Sequence, residues 1–298
     1  MNSQRGSQTE RSDFAVANKS SCKAQCYICP HACTLNEGQV GICRARRNKH
    51  GAVVSDSYGR ITSLALDPIE KKPLVRFMPG SMILSAGSFG CNLRCPFCQN
   101  ASIAHAGIDD VLWQEITPEQ LVEKAIRLKV QGNVGIAYTY NEPLVNFEFV
   151  RDCAKLAQEV GLVNVLVSNG MANAEIITEL APLLDAVNID LKGFTQDFYD
   201  FVGGSLDTVK QTIKLLAACP TCHVEVTTLI VPSKNDTDEE IDALAGWLAA
   251  LNPEIPYHVS RFFPCYKMQG INPTPVRTVY NLAEVARKHL RYVYTGNC

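Results

Sequence analysis

The sequence predicts an α/β protein with a partial (β/α)6 barrel, preceded by a small cysteine-rich metal-binding segment. Three observations carry this prediction. From residue 83 onward, strand-like runs alternate with helical stretches, and six such units in a row indicate a parallel sheet covered by helices. The strand interiors are rich in Val and Ile without strict alternation, as is typical of a sheet buried on both faces. Residues 83–298 are too few for a complete eight-fold barrel, which typically needs about 250.

The six units can be located one by one. The strand-like runs are MILSAGS, VGIAYTY, VNVLVSN, AVNIDL, HVEVTTLIV and PYHVSRF, with YVYT as a short last run. The helical stretches that follow them are TPEQLVEKAIRLKVQ, LVNFEFVRDCAKLAQEVG, NAEIITELAPLL, SLDTVKQTIKLLAAC, DTDEEIDALAGWLAAL and VRTVYNLAEVARKHL. Thr117 followed by Pro118, and Thr237 with Glu240 three residues on, are helix start signals.

The chain divides into three parts by composition. Residues 1–21 are polar and are expected to form a disordered tail, residues 22–82 form the turn-rich cysteine segment, and residues 83–298 form the barrel core. The formal net charge is −2, which does not favour a nucleic-acid-binding protein. No apolar run approaches a membrane span and the N-terminus has no apolar signal-peptide core, so we expect a cytoplasmic protein without a membrane partner.

Polar side chains follow five of the six predicted strands. Because functional groups of parallel α/β barrels gather at the C-terminal ends of the strands, we expect one shared site there. Each group also has a structural interpretation. Asn141 is a possible helix cap before Pro143, Ser168-Asn169-Gly170 a turn, and Asp190 with Lys192 an ion pair on one strand face. His258 taken alone resembles a buried core histidine. The groups at the strand ends are Cys91, Asn141 and Glu142, Ser168 to Gly170, Asp190 and Lys192, and His258 with Arg261.

Three cysteines, Cys91, Cys95 and Cys98, lie in the tight loop GSFGCNLRCPFCQN after the first strand. A structural zinc site needs a fourth ligand, and the nearest candidate is His105. An iron–sulfur cluster normally has a cysteine at each iron, so three cysteines leave one iron of a [4Fe–4S] cluster open. An open coordination position is where a reactant binds.

These motifs resemble the radical S-adenosylmethionine (SAM) superfamily, in its pyruvate formate-lyase activating enzyme-like branch. Within that branch, the likeness is to the radical SAM member of the AmmeMemoRadiSam system. It covers roughly residues 22–298. The segments that carry it are CYICPHACTLNEGQVGICRAR, LDPIEKKPL, SFGCNLRCPFCQN, YTYNEP, NIDLKGF and EVTTLIVP.

The resemblance implies cofactors and binding residues. Cys91, Cys95 and Cys98 would hold a [4Fe–4S] cluster whose open iron chelates SAM, and reductive cleavage would yield a 5′-deoxyadenosyl radical that abstracts hydrogen from a substrate. YNEP stands where relatives have GGEP, and Val167 stands where they have an acidic residue. The residues at SAM-contacting positions are Phe97, Asn100, Asn141, Glu142, Ser168, Asn169, Asp190, Lys192 and His258.

A second cysteine group precedes the first. Cys26, Cys29, Cys33 and Cys43 offer four thiolates on a short segment of the kind that metal often folds, and Cys22 is a spare. The spacing fits a structural zinc site and an auxiliary iron–sulfur cluster equally. Cys219 and Cys222 precede the fifth strand and are expected to be structural.

The function predicted from these features is a radical SAM enzyme, oxidoreductase-like, whose substrate and catalytic residues the sequence does not name. It is expected to take electrons from a donor of the flavodoxin or ferredoxin type. Its substrate is a small molecule, a protein, or a partner of the AmmeMemoRadiSam system. One alternative is an activating enzyme for a glycyl-radical enzyme. Another is a non-enzymatic zinc or iron–sulfur scaffold.

Overall fold

The computed structural model describes residues 15–17 and 22–298. Apart from a short strand, β1 (Ala15–Ala17), the tail predicted at residues 1–21 lies outside the described residues. Strands β2 (Ala24–Cys26) and β3 (Thr34–Leu35) join β1 in a small antiparallel sheet. Strands β4 (Arg46–Lys49) and β5 (Ala52–Ser55) form a hairpin. Its two turn residues, His50 and Gly51, both have positive φ, as a tight hairpin turn requires.

The main sheet has eight strands, and its order is β15-β14-β13-β12-β11-β10-β8-β7. Strand β7 runs antiparallel to β8, and the other strands run parallel to one another. The prediction of an α/β fold built on a parallel sheet is therefore confirmed. The strands between β5 and β15 are β6 (Arg60–Ile61), β7 (Ser63–Pro68), β8 (Met82–Gly87), β9 (Gln114–Glu115), β10 (Asn133–Tyr138), β11 (Val163–Ser168), β12 (Ala186–Asp190), β13 (His223–Ile230), β14 (Tyr257–Arg261) and β15 (Val293–Gly296).

Six of the eight α-helices in the described residues lie at the predicted places between the parallel strands, and the other two were not predicted. Some begin at a capping side chain, such as the Thr117 capping box or the Thr237 side chain that accepts from the Glu240 N–H. Short 3-10 turns extend several of them. The helices are α1 (Ala101–Ala104), α2 (Pro118–Arg127), α3 (Phe147–Glu159), α4 (Ala174–Leu180), α5 (Gln196–Val202), α6 (Leu206–Ala217), α7 (Asp238–Leu251) and α8 (Val276–Ala286).

Helix α5 was not predicted. It is only seven residues long, so an apolar period of 3.6 residues is hardly repeated within it. Its terminal signals are nevertheless present in the sequence. The Thr195 side chain accepts from the Phe198 N–H at the start, and Gly203 takes the left-handed conformation at the end.

The cysteine-rich segment is joined to the core sheet through β7. This strand lies within residues 22–82 and pairs with β8 along its whole length, from Ser63 opposite Gly87 to Pro68 opposite Met82. The division of the chain at residue 82 stays a prediction. No helix in the described part of the chain is long and apolar enough to cross a membrane.

The capping box of α2 allows a direct test of the local signals. The Thr117 side chain accepts from the Gln120 N–H at 3.3 Å, and the Gln120 side chain accepts from the Thr117 N–H at 2.9 Å. We expect Thr117→Ala to lower the free energy of unfolding by about 1 kcal/mol, because the Gln120 N–H loses its acceptor, the Thr117 hydroxyl. Urea denaturation measures this. The matched control is Thr178→Ala on α4, whose exposed hydroxyl only back-bonds to the Ala174 carbonyl and should change stability less.

Candidate active site

A cavity of about 340 Å³ lies at the C-terminal ends of the parallel strands. Its walls contain the three cysteines of the loop after β8 and most of the polar residues predicted to gather there. This is the arrangement expected when the ends of neighbouring parallel strands form one mouth. The predicted residues that line the cavity are Cys91, Cys95, Cys98, Phe97, Asn100, Asn141, Glu142, Ser168, Asn169, Asp190 and Lys192.

The cysteine loop is fixed by close contacts with the N-terminal segment. Gly90 has a φ of +89°, and a Cβ on it would come within 2.6 Å of the Ala45 side chain and the Cys43 carbonyl oxygen. The Cys91 N–H donates to that same Cys43 carbonyl at 3.1 Å. Only glycine therefore allows the loop to pack so closely against the segment.

Asn141 holds the same loop from the other side. Its side-chain oxygen accepts from the Ser88 N–H at 2.9 Å, and its side-chain nitrogen donates to the Phe89 and Gly90 carbonyls at 3.1 Å each. The helix-cap interpretation of Asn141 is thus wrong. The cap is Glu142, whose side chain accepts from the Leu144 N–H. Asn141 is a positioning residue for the cysteine loop.

The donor set of the loop fits an iron–sulfur cluster. Two N–H groups point at the Cys91 sulfur, from Leu93 at 3.4 Å and from the Asn169 side chain at 3.5 Å, and such hydrogen bonds to sulfur are typical of cluster ligands. Burial raises the pKa of the Cys91 thiol well above its ordinary value and that of Cys95 to about 11, so the thiolates that bind metal need a bound cation.

Side chains of His, Cys, Asp and Glu do not converge in threes on the position of a metal ion anywhere in the described residues. The thiolates of a [4Fe–4S] cluster bind different irons, so they surround the cluster and do not have to converge on one ion.

Glu142 is buried and binds three neutral donors. Its carboxylate accepts from the Leu144 N–H at 3.0 Å, the Ser168 hydroxyl at 2.7 Å and the Asn169 N–H at 2.8 Å. Burial raises the pKa of Glu142 to about 7, although these hydrogen bonds oppose the shift. Since no ion pair to Glu142 is found among the described residues, a ligand ammonium group would find an unbalanced carboxylate in the cavity wall.

The C-terminal end of strand β12 and the loop after it supply a charged pair. Lys192 donates to Asp190 at 2.8 Å, so the structural interpretation of this pair is correct, and both side chains also line the cavity. Burial disfavours the charged form of Lys192, but Asp190 and the nearby Cys95 outweigh it and raise the pKa of the lysine above its ordinary value. Lys192 is therefore a fixed cation.

Phe97 lies inside the cysteine loop, between Cys95 and Cys98, and Asn100 follows the last cysteine by two residues. The Phe97 ring is buried and packs near the rings of Phe198 and Phe201 of α5, with centroids 6.2 and 6.3 Å away. The exposed Asn100 side chain donates to the Tyr140 carbonyl at 2.7 Å. The unpredicted helix α5 thus supports the aromatic residue beside the cysteines.

His258 does not lie in the cavity wall. It is buried, its Nε2 lies 2.5 Å from the Glu225 carboxylate, and its ring stacks on Tyr294. Glu225 is itself fully buried and accepts from the Arg76 N–H at 2.8 Å. The geometry supports the structural interpretation of His258, and its assignment as a SAM contact stays a prediction that this position does not favour.

Sequence reasoning missed a group at the far side of the cavity. The Tyr140 hydroxyl donates to Asp67 at 2.7 Å, and Asp67 also accepts from buried Lys72 at 2.8 Å. Tyr140, in the YNEP segment, has a φ of +73°, which is strained for a tyrosine. Asp67 and Lys72 both belong to the segment LDPIEKKPL, but no feature of that segment alone indicates that they meet Tyr140.

The second cysteine group forms a separate small cavity beside the first loop. Cys26, Cys29, Cys33 and Cys43 line it together with Arg46, whereas Cys22 is exposed and is not part of the wall. In the same segment, a His31 ring nitrogen lies 2.8 Å from the Asn92 carbonyl, next to Cys91. The two cysteine groups are therefore neighbours. Cys219 and Cys222 lie apart from them, just before β13 begins at His223.

Comparisons with known proteins agree with this geometry. The model of the radical SAM superfamily matches residues 87–248. An uncharacterised protein of Methanocaldococcus jannaschii is 42% identical over 278 residues, which cover 92% of this chain and 81% of that protein. The pyruvate formate-lyase 1-activating enzyme of Escherichia coli is 25% identical over 219 residues, 67% of this chain and 86% of that enzyme.

A solved structure has the same fold. A radical SAM methyltransferase from Sphaerobacter thermophilus matches with a TM-score of 0.54 at 16% identity, over 74% of this chain and 67% of that chain. At this identity the likeness concerns the fold alone.

Proposed function

Because this chain belongs to the radical SAM superfamily and has homologues among pyruvate formate-lyase activating enzymes, we propose that it is an enzyme of the AmmeMemoRadiSam type that cleaves SAM reductively and abstracts hydrogen from a substrate. Members of the superfamily are enzymes, and the family implies a [4Fe–4S] cluster and SAM. The substrate, the AmmeMemoRadiSam assignment and the oxidoreductase type are parts of the proposal.

The observation that carries the proposal is the shared cavity. Cys91, Cys95 and Cys98 line the same space as Glu142 and Lys192, which have opposite charges. These three cysteines would hold the cluster, and when bound it supplies the electron that breaks the sulfonium bond of SAM.

The chain's own residues bind and orient SAM. Glu142 would accept from the SAM ammonium, because its carboxylate accepts hydrogen bonds only from neutral donors within the described residues. Lys192 would donate to the SAM carboxylate, and Asp190 would hold the lysine in place. Phe97 and the tight cysteine loop limit the access of water to the reacting bond.

The experiment that tests cofactor placement is electron paramagnetic resonance of the reduced, anaerobically reconstituted protein. If SAM binds at an iron that lacks a protein ligand, adding SAM changes the signal of the reduced cluster. The same spectrum with and without saturating SAM would contradict the proposed site. A colourless protein that contains only zinc would favour the non-enzymatic scaffold.

An activating enzyme for a glycyl-radical enzyme is the second candidate. Its support is the likeness to the Escherichia coli activating enzyme, at 25% identity. We favour the AmmeMemoRadiSam type because the extra cysteines of this chain precede the cluster loop. Either enzyme would need an electron donor, for which a flavodoxin or ferredoxin type is proposed. Incubation with a purified glycyl-radical enzyme separates the two candidates, since only the second produces a glycyl radical on the partner.

We also propose a metal centre at Cys26, Cys29, Cys33 and Cys43. Arg46 lines the same cavity and is only 3% exposed. Its terminal nitrogens pair with Glu148 at 2.6 and 2.8 Å, while its Nε–H has no hydrogen-bond partner in the described part of the chain. A sulfur atom of a thiolate centre would be an acceptor for this buried N–H. Four thiolates around one zinc ion would have to converge on a single point, and such convergence is not found among the described residues, whereas the ligands of an iron–sulfur cluster surround it. The geometry therefore favours an iron–sulfur cluster over zinc.

The double variant Cys29→Ala, Cys33→Ala tests the second centre. We expect it to lose bound metal and to become sensitive to protease within residues 22–82, because a metal often folds such a segment. Metal analysis of the variant and the parent identifies zinc or iron. Cys219→Ala, Cys222→Ala is the matched control and should keep the full metal content. Unchanged metal in the first variant would contradict the second centre.

A further inference from the structure

The active-site cavity extends well beyond the residues proposed to bind SAM. Lys71, Lys72, Thr227, Leu229, Ser260 and Asn297 also line it. Lys72 interacts with Asp67, which lies opposite Ile83 near the start of β8, whereas the cysteine loop follows Gly87 at the end of that strand. At about 3.3 Å per residue, the two ends are roughly 13 Å apart along the strand. We call the part of the cavity wall that Lys71 and Lys72 form, away from the cysteine loop, the deep wall.

The deep wall carries excess positive charge. Lys72 is 3% exposed and donates to Asp67 at 2.8 Å, and Lys71 lies 3.4 Å from the same carboxylate. Two cations thus share one anion. Near the mouth the balance is reversed, since Asp190 and Lys192 pair with each other and Glu142 has only neutral donors. The cavity is negative at the SAM end and positive at the deep end.

Lys72 also has donor capacity left. An ammonium group has three N–H donors. Asp67 takes one, and the face of the Tyr140 ring lies 4.8 Å from the nitrogen. Tyr140 in turn donates its hydroxyl to Asp67, so the three side chains hold one another in place.

A second, independent feature is the hydroxyl of Thr227 on β13, which lies beside Asp190 of the neighbouring strand β12 and lines the same cavity. Thr227 is only 7% exposed, and its Oγ1 has no hydrogen-bond partner among residues 15–17 and 22–298. A buried hydroxyl without a partner is costly, and an oxygen-bearing ligand would supply the missing hydrogen bond.

We infer that the cavity binds the substrate through an anionic oxygen group, a carboxylate or a phosphate, held by Lys72 and Lys71 of the deep wall and by Thr227. This inference rests on the proposed function and narrows its substrate class to small oxyanions. A glycine-containing loop of a protein partner carries no such charge at its reacting residue.

The test uses the reconstituted full chain with saturating SAM under anaerobic conditions. Equilibrium dialysis measures the binding of labelled inorganic phosphate and of labelled succinate, which separate phosphoryl from carboxylate recognition. We expect about one site per chain for one of these anions. Lys72→Met should weaken it roughly 10- to 150-fold, because a hydrogen bond to a charged group is lost. The exposed Lys155→Met on α3 is the matched control and should bind like the parent.

Lys72→Met leaves Asp67 with fewer partners and is at risk of misfolding, so Thr227→Val provides the second test. It removes an unpartnered hydroxyl at nearly constant shape. We expect unchanged or higher thermal stability without anion, together with anion binding about 2- to 10-fold weaker. A merely structural threonine would instead lose stability and leave anion binding intact.

Failure of this inference differs from failure of the proposed function. If neither anion binds, or if both variants bind it like the parent while SAM is still cleaved, the cavity is not an oxyanion site and the inference is overturned. If SAM is not cleaved by any preparation that holds the full iron content, the proposed function fails.

Discussion

Replacing Cys95 by Ala should abolish the cleavage of SAM. The thiol of Cys95 is buried in the cavity wall between Cys91 and Cys98 in sequence, and a [4Fe–4S] centre held by three cysteines does not tolerate the loss of one ligand. We expect iron to fall by about four per chain and 5′-deoxyadenosine formation to fall to the level without protein. Iron analysis and chromatography of the products measure both quantities.

The control for this variant is Cys153→Ala. Cys153 is also buried, but it lies on α3 and packs in the core without lining the cavity. Its replacement should cost some stability and leave the iron of the first centre intact. If Cys95→Ala still cleaves SAM while it keeps the parent's far-ultraviolet circular dichroism, the assignment of the cysteine loop is wrong.

Glu142→Gln is expected to weaken SAM binding roughly 10- to 150-fold. A carboxylate that accepts from an ammonium group makes a hydrogen bond worth about 1.5–3 kcal/mol, and glutamine keeps the shape without the charge. The exposed Glu159 at the end of α3 is the matched control, and Glu159→Gln should bind SAM like the parent. Equilibrium binding to the anaerobic protein measures the affinity. Equal affinities would mean that Glu142 acts only as a helix cap.

The same residue predicts a pH dependence. The pKa of Glu142 is raised to about 7 in the absence of ligand, so its carboxyl is mostly protonated at pH 6 and mostly ionised at pH 7.5. Since the ammonium of SAM requires the ionised form, affinity should rise roughly eightfold between these pH values. Glu142→Gln should bind SAM equally at both. A parent protein with no such rise would show that Glu142 does not meet the ammonium.

Much of the fold was predictable because its signals are local. The strand and helix patterns from residue 83 onward are repeated over several turns or several strand residues, and the capping residues Thr117 and Thr237 mark helix starts that the structure retains. Helix α5 was not predicted because its seven residues are too few to show a repeated helical pattern of apolar residues. The pairing of β7 with β8 was not predicted, because the hydrogen bonds between two strands are not visible in the sequence pattern of either strand alone.

The site was predictable only where parallel topology alone brings residues together. Cys91 and Glu142 follow strands, and Asp190 ends one. Because the C-terminal ends of parallel strands meet at one side of the barrel, this is sufficient to place the three residues around one cavity. His258 also lies on a strand, but it is the second residue of β14 and its side chain contacts Glu225. When both faces of a sheet are buried, the sequence pattern does not indicate which face a strand residue occupies.

The group at the deep wall depends on contacts distant in sequence. The hydroxyl of Tyr140 reaches Asp67 across 73 residues. Its positive φ could not be foreseen either, because tyrosine does not ordinarily adopt it. The proximity of Cys43 to Cys91 is a similar case, since it follows from how the N-terminal segment folds over the barrel mouth.

The most direct test of the central claim is the stoichiometry of SAM cleavage by the reduced, reconstituted protein. The proposed function predicts that dithionite-reduced protein converts SAM to 5′-deoxyadenosine and methionine in equal amounts. The Cys95→Ala variant should form neither product. Quantitative mass spectrometry of the quenched reaction measures both products. A protein with four or more irons per chain that leaves SAM intact after reduction would contradict the claim.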